Sequence, residues 1–288
     1  MAVMPHLTRR DLLRSAAAAG LGSRVLRAAP AKLRIGVTDW NLKLGAKPEA
    51  VTMAAQLGFD GVQVSFGRRL IDDKLPLDNP ELMDQYLFLS GKFEIPLDGT
   101  CVDKLHDNGL KSDKLAVRWV LDSIRITKAL RTNVLLLPFF GKWAILNAAE
   151  RDSVGDALRD LAPEAEKAGV ILGLEDTISA EDNVRIMDRA RSKNVLVYYD
   201  VGNSTKAGFD VVKEIRWLGK ARICQIHLKD NPNYMGEGAI NFTEVVKAIR
   251  DIGFTGYCNL ETDTKAGSTV EADMQKNLTF IRREIERG

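Results

Sequence analysis

The chain has 288 residues, 45% of them hydrophobic and 28% charged, which is an ordinary composition for a soluble globular protein. Its formal net charge of +2 provides no electrostatic reason to expect a nucleic-acid partner, and no basic run is interleaved with aromatic residues. Composition therefore argues against nucleic-acid binding.

The first 31 residues have the features of a targeting segment. Arg9 and Arg10 lie in a stretch that resembles the twin-arginine export motif, residues 13–26 are weakly apolar, and Ala-Pro-Ala at 29–31 is a small-residue cleavage site. We predict a signal peptide over residues 1–31 and export to the periplasm; the alternative is a basic N-terminal helix that stays on the protein. The apolar stretch is too short to span a bilayer, so we expect no stable membrane association after export.

Three cysteines follow this segment, Cys101, Cys224 and Cys258. Their number is odd, and Cys224 and Cys258 fall on strand-like runs, so we expect free core thiols rather than a disulfide framework. Free thiols fit the twin-arginine route, which carries proteins that are already folded.

From residue 33 onward, short apolar runs alternate with longer amphipathic ones. The predicted strands are residues 33–38, 61–66, 96–101, 133–138, 170–175, 195–200, 222–228 and 256–262. The predicted helices are residues 48–57, 80–93, 112–130, 147–168, 180–192, 210–219, 242–252 and 269–287. Strict alternation of strands with helices predicts an α/β fold in which parallel strands are joined by crossover helices.

Eight such units match closure into a (β/α)8 TIM barrel, which typically takes about 250 residues. The competing fold is an open doubly wound sheet, but the segment 36–40 after the first strand is not a glycine-rich phosphate loop. No Pro/Ser-rich linker or charge block divides the chain, so we predict one barrel domain over residues 32–288.

Acidic or imidazole side chains close four consecutive strand-like runs: Glu175, Asp200, His227 and Glu261, at intervals of 25, 27 and 34 residues. The carboxyl ends of the strands in a parallel barrel meet at one mouth, so the four would converge there. Taken singly, such a charge could instead cap the next helix or pair with Lys or Arg. Together, three carboxylates and one imidazole predict a site for one divalent metal ion. This hard ligand set favours Mn²⁺, Mg²⁺, Co²⁺ or Fe²⁺ over Zn²⁺.

A metal centre of this kind can act as a Lewis acid on the carbonyl of a chelated hydroxy-ketone and stabilise the developing enediolate. Glu175 and Glu261, from the fifth and eighth strands, could face the substrate from opposite sides as an acid/base pair. Return of the proton to the opposite face gives epimerisation, and return to the neighbouring carbon gives aldose–ketose isomerisation. The residues leave both reactions open.

Segments around these residues resemble those of a known family: Leu-Glu-Asp at 174–176, Tyr-Asp-Val-Gly-Asn at 199–203, Ile-His-Leu-Lys-Asp at 226–230, Gly-Glu-Gly at 236–238 and Leu-Glu-Thr at 260–262. They are similar to the signature segments of the sugar phosphate isomerase/epimerase family, the xylose isomerase-like TIM barrels, over about residues 33–285. The resemblance implies a Mn²⁺-type site at Glu175, Asp200, His227 and Glu261, with the two glutamates as the acid/base pair. It also implies a small sugar or sugar derivative as partner, and a homo-oligomer is compatible with it.

The chain departs from the ketose 3-epimerases of that superfamily at several positions. Asn203 stands where those enzymes usually carry a histidine, and no arginine follows soon after His227. Gln63 ends the second strand, where the superfamily often has a glutamate. Glu181, six residues after Glu175, does match a substrate-binding glutamate of those enzymes. The resemblance therefore does not single out a free ketohexose as substrate.

Other polar and aromatic residues are candidates for substrate contact because they follow predicted strands. Lys229 could reach an oxyanion of the substrate, or it could pair with Asp200 or Asp230 instead. The full set of candidates is Trp40, His106, Glu181, Asn203, Lys229 and Glu237.

The leading prediction is a metal-dependent sugar isomerase or epimerase, and the same centre allows an alternative. Removal of the proton beside a ketone can expel a β-substituent, which would make the protein a lyase or dehydratase on an inosose or a 3-keto-glycoside. A third hypothesis is a non-catalytic carbohydrate-binding barrel. The presence of both glutamates argues against it.

Overall fold

The computed structural model describes residues 33–287, so the predicted signal peptide over residues 1–31 lies outside the described residues. Within this part, eight parallel strands pair in chain order and close into one barrel. They are β1 (Arg34–Thr38), β2 (Gly61–Ser65), β3 (Leu97–Cys101), β4 (Val134–Pro138), β5 (Ile171–Glu175), β6 (Val195–Asp200), β7 (Ile223–Leu228) and β8 (Tyr257–Leu260). The predicted (β/α)8 TIM barrel is confirmed.

Helices connect these strands in the described residues: α1 (Glu49–Leu57), α2 (Pro80–Phe93), α3 (Lys114–Ala129), α4 (Ala148–Ala168), α5 (Ala180–Ala190), α6 (Val201–Lys206), α7 (Val211–Leu218), α8 (Phe242–Asp251) and α9 (Val270–Arg287). Every predicted helix is present, and α6 is an additional one. Short 3₁₀ turns, also not predicted, follow β3 at Asp103–His106 and β4 at Gly141–Trp143. Within residues 33–287, no helix has both the length and the apolar composition needed to cross a bilayer.

Polar side chains and glycines set the ends of the helices. Asn79 accepts hydrogen bonds from the Glu81 and Leu82 N–H groups and thereby caps α2. Similar side-chain caps begin other helices, at Asp113, Asn147, Ser179, Asp200, Asp210 and Asn241. Helices α1 and α4 end at Gly58 and Gly169, whose φ angles of +83° and +71° lie in the left-handed region that favours glycine. The short turns that follow lead directly into β2 and β5.

The barrel interior is polar, in contrast to the apolar layer between strands and helices. Five interior side chains, each at most 5% exposed, come from five different strands: Gln63, Asp98, Tyr198, Gln225 and Asn259. Gly36 makes room for them, because a Cβ at this position would lie 1.9 Å from Asn259 Oδ1 and 2.2 Å from Asp98 Oδ2. The apolar strand runs of the sequence did not predict this polar interior.

The three cysteines are free, as expected from their odd number. Cys101 and Cys258 are buried, and Cys224 is partly buried. Cys101 packs with Val134, Leu136 and Tyr198, so this thiol is part of the barrel core.

The buried Asp98 carboxyl should make the stability of the fold depend on pH. Burial raises the pKa of Asp98 well above its usual value, and Asn259 Nδ2 donates to one of its oxygens at 3.2 Å. Because this pKa is higher in the folded than in the unfolded chain, stability should fall as the pH rises above the unfolded pKa of about 4. In Asp98→Asn, residue 98 stays neutral at every pH, so the stability of the variant relative to wild type should increase as the pH rises above about 4.

Urea unfolding at several pH values measures this difference. The exposed Asp84→Asn is the matched control and should follow the wild-type curve. Parallel pH dependences for wild type and Asp98→Asn would contradict the prediction.

Candidate metal centre

The four side chains that end consecutive strand-like runs converge at the mouth of the barrel. Glu175, Asp200, His227 and Glu261 each offer one ligand atom, and these atoms all lie within 4.8 Å of one another. The first three residues are buried and Glu261 is partly exposed. Convergence follows from the closed barrel, in which β5, β6, β7 and β8 lie side by side and Asp200 is in register with His227.

Asp200 belongs both to the cluster of four possible ligands (Glu175, Asp200, His227 and Glu261, here called the metal cluster) and to the start of helix α6, which was not predicted. Its Oδ1 accepts a hydrogen bond from the Asn203 N–H at 2.8 Å, which caps the helix. Its Oδ2 lies 3.8 Å from His227 Nδ1. The first turn of α6 therefore fixes the rotation of this carboxylate and directs one oxygen into the cluster.

Lys229 brings a positive charge into the cluster. Its Nζ lies 2.7 Å from Asp200 Oδ2 and also forms an ion pair with Glu261. Of the two aspartates considered as partners from the sequence, the structure pairs Lys229 with Asp200. Gly202 leaves room for the Lys229 side chain, because a Cβ at position 202 would lie 2.4 Å from Lys229 Cγ.

Packing three carboxylates together in a buried site perturbs their protonation. Burial raises the pKa of Glu175, and the nearby charge of Glu261 raises it further. Burial also raises the pKa of Asp200, although Lys229 opposes this effect. At Glu261 burial acts in the same direction, but Lys229 and His227 outweigh it and hold the pKa below its usual value. One ammonium does not balance three carboxylates, so the cluster would be stabilised by additional positive charge.

The donor set fits a divalent metal ion in the types of its ligand atoms and in their spacing, since they all lie within 4.8 Å of one another. His227 Nδ1 lies 2.8 Å from Glu175 Oε1 and 3.5 Å from Glu261 Oε2, so oxygen and nitrogen donors surround one point. Carboxylate oxygens with a single imidazole form a hard ligand set, suited to ions that accept oxygen ligands. The cluster could therefore hold one metal ion.

Glu261 is fixed by neighbours on both sides, although it lies just beyond β8. The predicted eighth strand, residues 256–262, is longer than β8, but the Glu261 N–H still donates to the Leu228 carbonyl at 3.1 Å. Trp40 Nε1 donates to Glu261 Oε1 at 3.0 Å. The Trp40 ring also meets the His227 ring edge-on, with 5.9 Å between centroids. This residue after β1 thus orients a carboxylate after β8.

A cavity of about 380 Å³ adjoins the cluster. Glu175 and Glu261 both line it, so the predicted acid/base pair is accessible to a bound molecule. The cavity is also lined by Trp40, His106, Asn203 and Lys229, four of the candidates for substrate contact. The His106 ring stacks on Phe140 at 6.1 Å between centroids, which gives the cavity an aromatic wall.

The structure does not bring the other two candidates, Glu181 and Glu237, to the cavity. Glu181 lies in the first turn of α5 and is exposed. Glu237 pairs with Lys276 of α9 at 2.7 Å, and both side chains are about half exposed. The expected substrate contacts of Glu181 and Glu237 therefore have no support in this geometry, because both carboxylates face solvent.

Two charged residues that line the cavity were missed by the sequence analysis. Arg68 follows β2 and pairs with Asp107. Asp103 begins the turn after β3, and burial raises its pKa to about 7. Both occupy positions just after a strand, the same signal that identified the other candidates. Residue type alone did not separate them from ordinary charged loop residues.

Several similar proteins are named as sugar epimerases. The chain is 28% identical over 207 residues to 2-epi-5-epi-valiolone 7-phosphate 2-epimerase of an Actinoplanes species, covering 69% of this chain and 73% of that protein. The structure resembles D-psicose 3-epimerase with D-tagatose from Clostridium cellulolyticum H10, with a TM-score of 0.74 and 18% identity over 88% of this chain and 99% of that one. It also resembles 3-keto-D-glucoside 4-epimerase from E. coli, with a TM-score of 0.70 and 17% identity over 88% of this chain and 100% of that one. At these identities, the two structural similarities show a shared fold.

A family match covers most of the barrel. The pattern of the xylose isomerase-like TIM barrel family extends over residues 51–284. This range contains β2 to β8 and all four residues of the metal cluster. The protein therefore belongs to the xylose isomerase-like TIM barrel family.

Proposed function

We propose that the protein is a sugar isomerase or epimerase that requires one divalent metal ion and transfers a proton through an enediolate. The observation that carries this proposal is that Glu175 and Glu261 belong to the metal cluster and also line the adjoining cavity. The similar proteins named as epimerases of psicose and of a valiolone phosphate support a sugar or sugar derivative as substrate.

The residues of the cluster have two roles in the proposed reaction, metal binding and proton transfer. Glu175, Asp200, His227 and Glu261 would hold the ion, which when bound supplies Lewis acidity at a substrate carbonyl. One of the two glutamates removes the proton beside that carbonyl, and the other delivers a proton to the opposite face or to the neighbouring carbon. Burial disfavours the ionised form of Glu261, but Lys229 lowers the pKa of this carboxyl and keeps it able to accept a proton.

The walls of the cavity suit a sugar. Trp40, His106 and Phe140 offer ring faces that can pack against the C–H faces of a sugar ring. Asn203 and Arg68 add hydrogen-bonding groups for hydroxyl oxygens or an anionic substituent. The cavity thus combines aromatic side chains with a small number of polar groups, which is the usual composition of a small-molecule site.

We propose Mn²⁺ as the ion, with Mg²⁺, Co²⁺, Fe²⁺ or Zn²⁺ as alternatives. Three carboxylates and one imidazole match the oxygen-rich coordination of Mn²⁺ and Mg²⁺. The four side chains would hold the ion beside the cavity, where a substrate oxygen could reach it.

A second cavity favours one alternative, a lyase acting on a 3-keto-glycoside or an inosose. This cavity of about 490 Å³ shares Asn203 and Lys229 with the first, so a substrate with a second sugar unit or another leaving group could extend into it. In the elimination, a carboxylate takes the proton beside the ketone, and the C–O bond to the leaving group breaks as the alkene forms. The leaving oxygen takes up a proton and departs as an alcohol. Deuterium uptake from D₂O beside the ketone, with no release of an alcohol or water, would exclude the lyase.

Metal binding should depend on Asp200. In Asp200→Asn the side chain can still cap α6 but loses the charge of a ligand. Added Mn²⁺ at about 100 times its Kd should stabilise wild type by about 2.7 kcal/mol and raise its Tm, while the variant should show little or no change. Asp210→Asn is a matched control, because Asp210 caps α7 in the same way and lies outside the cluster. An equal Tm rise in Asp200→Asn would contradict the proposed site.

Catalysis should depend on Glu261 as a proton-transfer group. Glu261→Gln keeps an oxygen for the Trp40 hydrogen bond but cannot accept a proton, so turnover should fall by about 10² to 10⁴-fold. NMR detection of deuterium at the carbon beside the carbonyl, over a panel of ketoses, inososes and 3-keto-glycosides, measures this loss. The exposed Glu271→Gln is the control, and the metal content of each variant is measured in parallel. A fully active Glu261→Gln enzyme would remove Glu261 from the acid/base role.

We also propose export to the periplasm through the twin-arginine route, supported by the motif at Arg9 and Arg10. Changing both residues to Lys preserves the charge and should leave the unprocessed precursor in the cytoplasm. Cell fractionation with immunoblotting measures the distribution, and changing Arg14 alone to Lys is the control. Unchanged fractionation of the Arg9→Lys, Arg10→Lys protein would contradict this route.

A further inference from the structure

A continuous chain of hydrogen bonds runs through the barrel interior and ends at the metal-binding histidine. Its side chains come from β2, β6, β7 and β8 and are all almost completely buried: Gln63, Tyr198, Gln225, His227 and Asn259. Each bond has a donor and an acceptor, so the direction of one bond constrains the next. The metal cluster therefore connects to a network that extends well below the cavity.

A backbone carbonyl fixes the direction of the chain at its far end. Gln225 Nε2 donates to the Asp98 carbonyl oxygen at 2.6 Å, and a carbonyl oxygen can only accept. The amide oxygen of Gln225 therefore faces Asn259, whose Nδ2 donates to it at 3.3 Å. Asn259 Nδ2 also lies 3.2 Å from Asp98 Oδ1, so its two protons are shared among three acceptors, Gln225 Oε1, Asp98 Oδ1 and the Tyr198 hydroxyl.

The Tyr198 hydroxyl continues the same donor-to-acceptor order towards the metal cluster. It accepts a hydrogen bond from Asn259 Nδ2 at 2.9 Å, so its own proton is free to donate elsewhere. The recipient is Gln63 Oε1 at 3.0 Å. The oxygen of the Gln63 amide, rather than its nitrogen, is thereby placed against the histidine, and Gln63 Nε2 has no hydrogen-bond partner within residues 33–287.

His227 receives the last bond of the chain. Its Nε2 lies 2.8 Å from Gln63 Oε1, which can only accept, so the histidine must carry a proton on Nε2. The other ring nitrogen, Nδ1, faces the three carboxylates of the cluster. In neutral imidazole only one nitrogen carries a proton, so Nδ1 retains its lone pair, and the proton of its 2.8 Å hydrogen bond with Glu175 Oε1 belongs to the carboxyl.

We propose that Gln63 and Tyr198 are positioning residues that hold His227 in the Nε2–H tautomer and thereby reserve Nδ1 as the metal-binding nitrogen. A hydrogen bond to the second ring nitrogen commonly fixes the tautomer and the ring orientation of a metal-binding histidine. Here the acceptor is a neutral amide, which adds no fourth negative charge to the buried cluster. The inference rests on the proposed metal-dependent function and assigns it two further residues.

Substitutions at Gln63 test the hydrogen-bond acceptor separately from the volume of the side chain. Gln63→Leu removes the acceptor and should weaken Mn²⁺ binding by about 10- to 100-fold, the usual effect of losing such a partner. Gln63→Glu keeps an acceptor at the same place and should bind Mn²⁺ at least as tightly as wild type. Isothermal titration with MnCl₂ measures both affinities. Gln275→Leu, on the exposed face of α9, is the control for the substitution itself.

The tautomer is measured directly in metal-free protein. ¹⁵N-labelled histidine in long-range ¹H–¹⁵N NMR at about pH 8, where imidazole is neutral, distinguishes the two forms, and His227→Ala assigns the signal. Wild type and Gln63→Glu should show the Nε2–H form. Gln63→Leu should show the Nδ1–H form or a mixture, and Tyr198→Phe should show partial loss of the Nε2–H form because the Gln63 amide is no longer held.

The two measurements distinguish failure of this inference from failure of the proposed function. Wild-type tautomer and wild-type Mn²⁺ affinity in Gln63→Leu would overturn the inference. If Gln63→Leu does not fold, an unchanged tautomer in Tyr198→Phe would overturn it. If wild type itself binds no Mn²⁺ or other divalent ion, the proposed metal-dependent function fails, and the inference fails with it even if the Nε2–H tautomer is found.

Discussion

Three carboxylates packed against one imidazole at the barrel mouth create the constraint on which the rest of the site depends. Burial disfavours ionisation of Glu175 and Asp200, and the charge of Glu261 adds to this effect at both. Lys229 supplies one positive charge and the first turn of α6 holds Asp200, but neither neutralises the whole cluster. A divalent cation does so with the donor atoms already present. In the proposed reaction, the same cation would supply Lewis acidity at the substrate carbonyl.

The cluster residues and most of the remaining cavity walls come from different parts of the barrel. The four cluster residues lie on β5, β6 and β7 or just after β8, where backbone hydrogen bonds between strands fix their positions. Most of the remaining cavity walls come from loops, including the residues Arg68, His106 and Phe140. On the proposed function, the strand ends would set the type of reaction, and the loops, which can vary without changing the barrel, would set the choice of substrate.

Much of this could be predicted from the sequence because it depends on local patterns. Apolar runs bounded by glycine and capping residues identified the eight strands and the helices between them, and the last residue of each run identified Glu175 and Asp200. The polar interior could not be predicted, because Gln63, Tyr198 and Asn259 come from strands far apart in the chain and only barrel closure brings them together. The same limit applies to Glu237, whose orientation is set by a partner on α9. Helix α6 is only six residues long and follows β6 without a loop, so no periodic pattern marks it.

The metal content of the purified protein shows whether Glu175, Asp200, His227 and Glu261 form a metal centre. Elemental mass spectrometry of wild type and of a His227→Ala variant gives the number of divalent ions per chain. We expect close to one ion of Mn, Co, Fe, Mg or Zn per chain in wild type and its loss in the variant. Absence of metal from both proteins, even after incubation with each of these ions, would contradict it.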